Sequence, residues 1–294
     1  MSTGRNSKAD VDASGRKKWN LIVDVALCQN CNNCVLSAKD EYVGNDHKGY
    51  SAAAPEEGAD LIKIARKVRG SAPVVDTAYL VKMCNHCDEG NCMKVGGDAV
   101  KKRDDGIVII DPVKAKGRKD IVDACPHNAI VWNEESQLPQ IWTFDAHLLD
   151  AGWTQPRCVD ACPTSAIEAT KISNTEMSER VQREGLRVLE PELETKPRVY
   201  YRNLDRFDKC FIGGVVVAKR DGVEDCADGA IVSLMRNGDE IGRTQTDEFG
   251  EFKFDKLEPE SGAYEVRVRD SEAGDASITV ALTDSVFVGV LTLE

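Results

Sequence analysis

Two textures of hydrophobic and polar positions divide this chain. From Phe211 onward, apolar residues alternate with polar ones in short runs at 211–218, 230–235, 249–254, 264–268, 277–281 and 286–293. Asn237-Gly238, Asp247-Glu248-Phe249-Gly250 and Gly274 supply turn formers between them. Side chains of a strand alternate between faces, so the series predicts an antiparallel sandwich of immunoglobulin-like (transthyretin- or Cna-B-like) type over 211–294. Upstream the pattern is less regular. Trp19 to Val25 is an apolar run broken only by Asn20 and Asp24, which predicts a short buried strand. Gly106 to Pro112, Ala129 to Asn133 and Ala166 to Ala169 predict further short strands. Residues 175–185 predict a helix, with Thr175 as N-cap and Gly185 at its C-terminal end.

Chemistry enters through cysteine. Cys28, Cys31 and Cys34 stand in C-x2-C-x2-C spacing, Cys84, Cys87 and Cys92 form a second triplet, and Cys125-Pro126 and Cys162-Pro163 follow. In two-cluster ferredoxins the fourth cysteine of such a run, the one before proline, ligates the other cluster. Two triplets and two Cys-Pro pairs therefore supply the thiolates of two 4Fe-4S clusters. The strands after the two Cys-Pro pairs occupy equivalent places, which reads as the internal repeat of a double ferredoxin-like unit.

Counting at the same spacing locates the positions that lack a thiol. Ala38 and Gly96 stand where the two triplets would have a fourth cysteine. Ala115, Arg118 and Ile121 precede Cys125, and Trp142 and Asp145 precede Cys158 and Cys162. Pseudo-twofold symmetry pairs the first motif with the last and the second with the third. The complete sets are then Cys28/Cys31/Cys34/Cys162 and Cys84/Cys87/Cys92/Cys125. The remaining sets, Ala38/Trp142/Asp145/Cys158 and Gly96/Ala115/Arg118/Ile121, hold one thiol and none, and predict no cluster. Cys158 is left over, and Asp145 as an iron ligand is the weaker alternative because thiolates dominate such sites.

Other readings of these residues compete less well. Zinc knuckles also use C-x2-C pairs, but three cysteines two residues apart with proline after a distant fourth fit a cube better. A radical enzyme using S-adenosylmethionine would want C-x3-C-x2-C, and Ser165 stands where Cys158-x3-Cys162 would need its third ligand. Eleven cysteines in 294 residues are too sparse for a disulfide scaffold. Cys210 and Cys226 read as buried small hydrophobes or inert thiols. His86, between two ligands, reads as a core or solvent-facing histidine, with a hydrogen bond to cluster sulfur as the sharper alternative. His47, His127 and His147 have no partner at metal-ligand spacing and read as structural.

Length and charge narrow the picture further. A chain of 294 residues holds about two domains. Its 38 Lys and Arg against 50 Asp and Glu leave a net charge of -12, which argues against a nucleic-acid partner. The polar first eighteen residues read as a disordered tail, with neither an apolar signal core nor an Arg-Arg pair. No run approaches the roughly eighteen apolar residues of a membrane span, so a cytoplasmic location is the default expectation. The expected organisation is α+β: a tail at 1–18, a two-cluster ferredoxin-like domain at 19–170 with a polar insertion at 35–80, a connector at 171–210, and the sandwich. The aromatic and basic stretch Lys196 to Leu204 reads either as linker or as partner contact.

The motifs Cys28-Gln-Asn-Cys31-Asn-Asn-Cys34, Cys84-Asn-His-Cys87, Asp105 to Pro112, Ala146-His147-Leu148-Leu149-Asp150, Lys196 to Tyr201 and Thr246 to Phe254 carry a resemblance over nearly the whole chain. It resembles the iron-sulfur subunits of the dimethyl-sulfoxide-reductase family of molybdenum enzymes. The trailing sandwich points to the branch of pyrogallol-phloroglucinol transhydroxylase small subunits and related phenol hydroxylases and dehydroxylases. The resemblance implies a large catalytic partner carrying molybdenum on molybdopterin guanine dinucleotide, an αβ heterodimer or a multiple of it, and a non-catalytic electron-transfer role in phenol metabolism. It also implies that the Cys28, Cys31, Cys34 and Cys162 cluster lies nearest the partner. The branch resembles a three-cluster protein, yet Ala38, Trp142 and Asp145 stand at the ligand positions of the middle cluster. That loss separates the two survivors, and the Cys84 cluster is expected to be structural or slow to equilibrate. The alternatives are a free-standing ferredoxin-type carrier, against which the insertion and fused sandwich argue, or the electron-transfer subunit of another molybdenum reductase such as a catechol dehydroxylase.

Overall fold

The computed structural model describes residues 15–220 and 222–293. Positions 1–14 of the expected tail lie outside the described residues. The chain divides into two compact units, one of residues up to Ala65 with Tyr79–Leu204, the other of Arg66–Ala78 with the residues from Asp205 onward.

The first unit is built on β1 (Lys18–Asp24), which leads into α1 (Asn33–Tyr42). A hairpin of β2 (Lys63–Ser71) and β3 (Val74–Lys82) follows. Next come α2 (Asn91–Gly96), the paired strands β4 (Val100–Lys102) and β5 (Val108–Ile110), and α3 (Asp120–Asp123). The pair β6 (Val131–Asn133) and β7 (Leu138–Gln140) precedes two short helices, α4 (Ala146–Asp150) and α5 (Arg157–Asp160). The unit closes with β8 (Ile167–Ile172), α6 (Asn174–Glu184) and β9 (Val199–Arg202). Strand β1 is central, antiparallel to β8 and parallel to β9. A central strand is covered on both faces, which explains why Leu21, Ile22 and Val23 are apolar without alternation and are fully buried.

The structure corrects several expectations here. Residues 171–210 do not form a connector: β8, α6 and β9 fold into the first unit, and β9 completes its sheet. Helix α6 begins earlier than Thr175 suggests. Ser173 is its N-cap and forms a capping box with Glu176, while Gly185 ends it in the left-handed conformation, φ 61°. The insertion at 35–80 is ordered structure, containing most of α1 and the β2–β3 hairpin, whose tip belongs to the second unit.

Besides the hairpin tip at Arg66–Ala78, the second unit comprises α7 (Asp205–Asp208) and two four-stranded sheets. The long strand β10 (Cys210–Arg220) pairs with β11 (Val223–Cys226) and with β14 (Glu251–Leu257) on one edge, and with β17 (Val286–Leu293) on the other. The other sheet runs β13 (Asp239–Gln245), β12 (Ile231–Arg236), β15 (Gly262–Asp270), β16 (Gly274–Leu282). Val216 and Ile212 from the first sheet and Val232, Leu234, Val266 and Val268 from the second share one apolar core. The β12–β13 turn is Asn237-Gly238 with both residues at positive φ, as a two-residue hairpin of that sequence requires. The sandwich is not wholly antiparallel, because β17 runs parallel to β10. Strands β11 and β13 escape the sequence pattern because they are largely exposed and carry little apolar alternation. Cys210 is buried and its thiol donates to Asp284 at 3.3 Å, whereas Cys226 is exposed rather than buried.

The hairpin tip is fastened by a charge. Arg69 is fully buried, pairs with Asp76, and donates to Asp255 Oδ1 at 2.9 Å. Gly70, φ +77°, allows the close approach: a Cβ there would lie 2.5 Å from the Val74 carbonyl oxygen and 2.6 Å from the Phe211 ring. No described helix is long and apolar enough to cross a membrane.

Candidate iron-sulfur centres

All eleven cysteines are free thiols. Four of them, Cys28, Cys31, Cys34 and Cys162, gather after β1 and at the end of α5. Burial, first, and then the neighbouring thiols push Cys34 up to about 12, with Cys28, Cys31 and Cys162 all acting on it. Burial likewise raises Cys28, opposed by the Asn30 backbone and reinforced by Cys162 and Cys31. Cys31 is exposed. A second group, Cys84, Cys87, Cys92 and Cys125, forms between β3, α2 and α3. Burial pushes the Cys84 thiol well above its ordinary value, with Cys87, Cys92 and Cys125 adding to the effect. Cys92 is raised to about 11 by burial, then by Cys125 and Cys87.

Both groups are built by the same local devices. Asn30 and His86, each just before the second cysteine of its triplet, are left-handed at φ 55° and 45°. After each Cys-Pro pair the chain turns through another left-handed residue, Asn128 or Ser165, and aims an N–H back at the sulfur. Ala129 N–H reaches Cys125 Sγ at 3.5 Å, and Ala166 N–H reaches Cys162 Sγ at 3.3 Å. Gly90 leaves room beside the second group, where a Cβ would lie 3.3 Å from Cys92 Sγ. Converging thiols with N–H donors aimed at sulfur suit an iron-sulfur cluster that binds them as thiolates.

The sequence signal for the second group missed its polar frame. Lys102 Nζ donates to the carbonyls of His86 at 2.7 Å and Cys87 at 3.0 Å and pairs with Asp88 at 2.7 Å. Arg198 Nε donates to Asp88 Oδ1 at 2.8 Å, and Thr195 Oγ1 lies 2.8 Å from His127 Nε2. Thr195 and Arg198 are thus part of the wall of this centre, while Val199–Arg202 is strand β9 beside β1. From sequence the aromatic and basic stretch Lys196 to Leu204 reads as linker or partner contact, and neither reading places Arg198 at the second thiol group. His86 is a core histidine: Val108 N–H donates to its Nδ1 at 3.0 Å, and burial lowers its pKa to about 3. Its Nε2 is buried with no hydrogen-bond partner. Its ring meets Trp142 and Phe144 at 5.8 and 5.5 Å.

The two thiol-poor sets are also brought together. Ala115 and Ile121 are fully buried in an apolar cluster with Val100 and Ile110, and a Cβ at Gly96 would lie 2.3 Å from Val100 Cγ2. Arg118 turns outward to Asp120. Ala38, Trp142, Asp145 and Cys158 are likewise all buried, around a network centred on the Asp145 carboxylate. Next to this network, with the Tyr42 ring 5.5 Å from His47 and 5.9 Å from His147, Glu41, His47 and His147 approach one another, so two of the histidines read as partnerless do have neighbours at metal-ligand distance. The two imidazoles stack at 3.7 Å and 22°, and Arg157 holds the other Glu41 oxygen at 2.7 Å. Glu41 pairs with Arg157 and lies 2.7 Å from His147 Nε2, so this cluster reads as a hydrogen-bonded network around Glu41.

A family description, the 4Fe-4S dicluster domain, matches residues 75–172. Over 281 residues the chain is 41% identical to the pyrogallol hydroxytransferase small subunit of Pelobacter acidigallici, covering 94% of this chain and 100% of that one. It is 31% identical to a tetrathionate reductase subunit of Salmonella typhimurium, over 66% of this chain and 76% of that one. A sulfite dehydrogenase subunit of Allochromatium vinosum is 29% identical, over 62% of this chain and 81% of that one.

Proposed function

The chain belongs to the iron-sulfur small-subunit family of molybdenum oxidoreductases, and on that footing we propose that Cys28, Cys31, Cys34 and Cys162 hold one 4Fe-4S cluster and Cys84, Cys87, Cys92 and Cys125 hold the second. The chain is the electron-transfer subunit of a complex whose large subunit carries molybdenum on molybdopterin guanine dinucleotide and moves, adds or removes a phenolic hydroxyl on polyhydroxybenzenes. It is not itself the catalyst. The clusters supply one-electron storage, and the chain's residues hold them and tune them through N–H donors to sulfur.

The observation that carries this reading is the convergence of four free thiols at each of two places, built by matching left-handed turns and N–H···S contacts. Exposure of Cys31, with Leu27 and Leu36 also exposed in that segment, favours the Cys28 cluster as the one facing the partner. The shared apolar core of two sheets favours an immunoglobulin-like sandwich of transthyretin or Cna-B type for the second unit. A reducing, cytoplasmic setting is the location that belongs to this proposal.

Gel filtration of native extract followed by metal analysis tests the assignment. The chain is expected to elute with a larger molybdenum-containing subunit, and Cys31→Ser and Cys87→Ser are each expected to lose about four irons per chain. Elution as a lone iron protein without molybdenum would instead identify a free-standing carrier.

A further inference from the structure

The set Ala38/Trp142/Asp145/Cys158 occupies the place of a further cluster by ferredoxin spacing, and the structure fills that place with side chains. Trp142 is 0% exposed, Cys158 1% and Asp145 2%. The Asp145 carboxylate accepts from Tyr42 OH at 2.8 Å, from Trp142 Nε1 at 3.0 Å and from the Arg157 N–H at 2.8 Å. Tyr42 OH also lies 2.7 Å from Thr143 Oγ1. Tyr42 is one helical turn beyond Ala38 on α1, so its ring lies on the helix face that a cysteine at 38 would share.

The network reaches toward both thiol groups. On one side, Trp142 stacks on Phe144 at 4.9 Å, and both rings meet His86, which sits between Cys84 and Cys87. On the other, the Cys158 thiol is held up by burial and then by the charges of Asp145 and Cys34. The path from Cys84 to Cys34 therefore runs through an imidazole, an indole, a carboxylate and one unligated thiol.

We infer that this Trp142–Asp145–Tyr42 plug is a redox-silent spacer which electronically separates the two clusters. The inference rests on the ligand sets proposed above. Neither indole, phenol nor carboxylate accepts an electron at potentials where iron-sulfur clusters work, so no electron resides between the clusters. One electron leaves one cluster and arrives at the other in a single long step, with no proton or third group taking part. The Cys28 cluster consequently exchanges with the partner on its own, and the Cys84 cluster fills later and holds its electron apart.

Freeze-quench electron paramagnetic resonance on the anaerobic holo-complex, mixed with substoichiometric dithionite or with a phenolic substrate, tests this. The signals are assigned with Cys31→Ser and Cys87→Ser. The expected result is two kinetic phases, and in the fully reduced protein two superposed signals without mutual splitting. A single phase, or spectra split by interaction between the two spins, would overturn the spacer. The combined variant Ala38→Cys, Trp142→Cys, Asp145→Cys gives Cys158 three thiol neighbours. It is expected to gain about four irons per chain and to merge the two phases. If it gains the irons and keeps two phases, the spacer is also refuted. Should that variant not fold, the kinetics of the native complex decide alone. An iron content other than about eight per native chain would refute the ligand sets, whereas a single phase at that iron content refutes only the spacer.

Discussion

Two sets of positions that ferredoxin spacing marks as cluster ligands lack most or all of the thiols, and they are closed by opposite chemistries. At Gly96/Ala115/Arg118/Ile121 the space is taken by hydrocarbon, with Ile121 and Ala115 fully buried and Arg118 turned out to its surface partner. At Ala38/Trp142/Asp145/Cys158 it is taken by a buried carboxylate with three donors on it. An apolar closure gains from burial alone and tolerates adjustment. A polar closure is stabilising only when every group is satisfied, and then it fixes one arrangement of its elements. The difference teaches that the hydrocarbon site is ordinary core, whereas the polar site is a rigid strut tying α1, the segment at 142–145 and α5 together.

Breaking the polar closure is expected to have the largest effect. Asp145→Leu leaves the Trp142 indole N–H and the Arg157 N–H without an acceptor, each costing about 1–3 kcal/mol, while the Tyr42 hydroxyl keeps Thr143 Oγ1 at 2.7 Å. Arg118→Ala in the other closure is expected to stay within about 0.5 kcal/mol. Denaturant midpoints of the anaerobic holoprotein measure both. Equal shifts would remove the distinction between the two sites.

Cavity formation sharpens the comparison at a smaller scale. Trp142→Ala is expected to cost about 3–5 kcal/mol and Ile121→Ala about 2–5 kcal/mol. The same series is read by spectroscopy: Ile121 shares its apolar cluster with Cys84 and Trp142 meets His86, so both variants should disturb the Cys84 cluster signal, and Ile121→Ala should leave the Cys28 cluster signal untouched. A Cys84 cluster signal unchanged in Trp142→Ala would mean that Trp142 is not coupled to the second centre.

The smallest expected effect is a pH dependence. Burial raises the Asp145 pKa above its ordinary 3.8, against the hydrogen bonds from Tyr42, Arg157 and Trp142. The folded chain therefore holds this proton more tightly than the unfolded chain does. The corresponding contribution to stability is full below 3.8 and is lost as pH rises through the raised folded value. Asp145→Asn lacks that loss, so its midpoint should improve relative to the natural protein as pH rises. Ile121→Val touches no ionisable group and should run parallel to the natural protein across the same titration.

What could be read from the chain follows from which interactions leave a local mark. Iron ligation demands short spacings, so Cys28-x2-Cys31-x2-Cys34 and the Cys-Pro pairs stand out, as do the thiol-free positions counted from them. Strand β1 is legible because a central strand needs an unbroken apolar run, and Asn237-Gly238 because that turn needs two residues at positive φ. The frame of the second centre is not legible, since Arg198 meets Asp88 and Thr195 meets His127 across long stretches of chain. Arg69 inside a polar hairpin looks like surface until Asp76 and Asp255 are seen around it. The Asp145 network was visible as missing thiols but not as a filled volume, because Tyr42 lies 103 residues away and no spacing rule connects them. The cap of α6 was misplaced because Thr175 and Ser173 are both good caps, and only Ser173 has glutamate three residues on.

The most direct test of two clusters flanking a filled position is iron and acid-labile sulfide per chain in anaerobically purified holoprotein. Two cubes with the plug in place give about eight of each. About twelve of each would mean that Cys158, with Asp145 beside it, holds a third cluster, and would contradict both the ligand sets and the spacer.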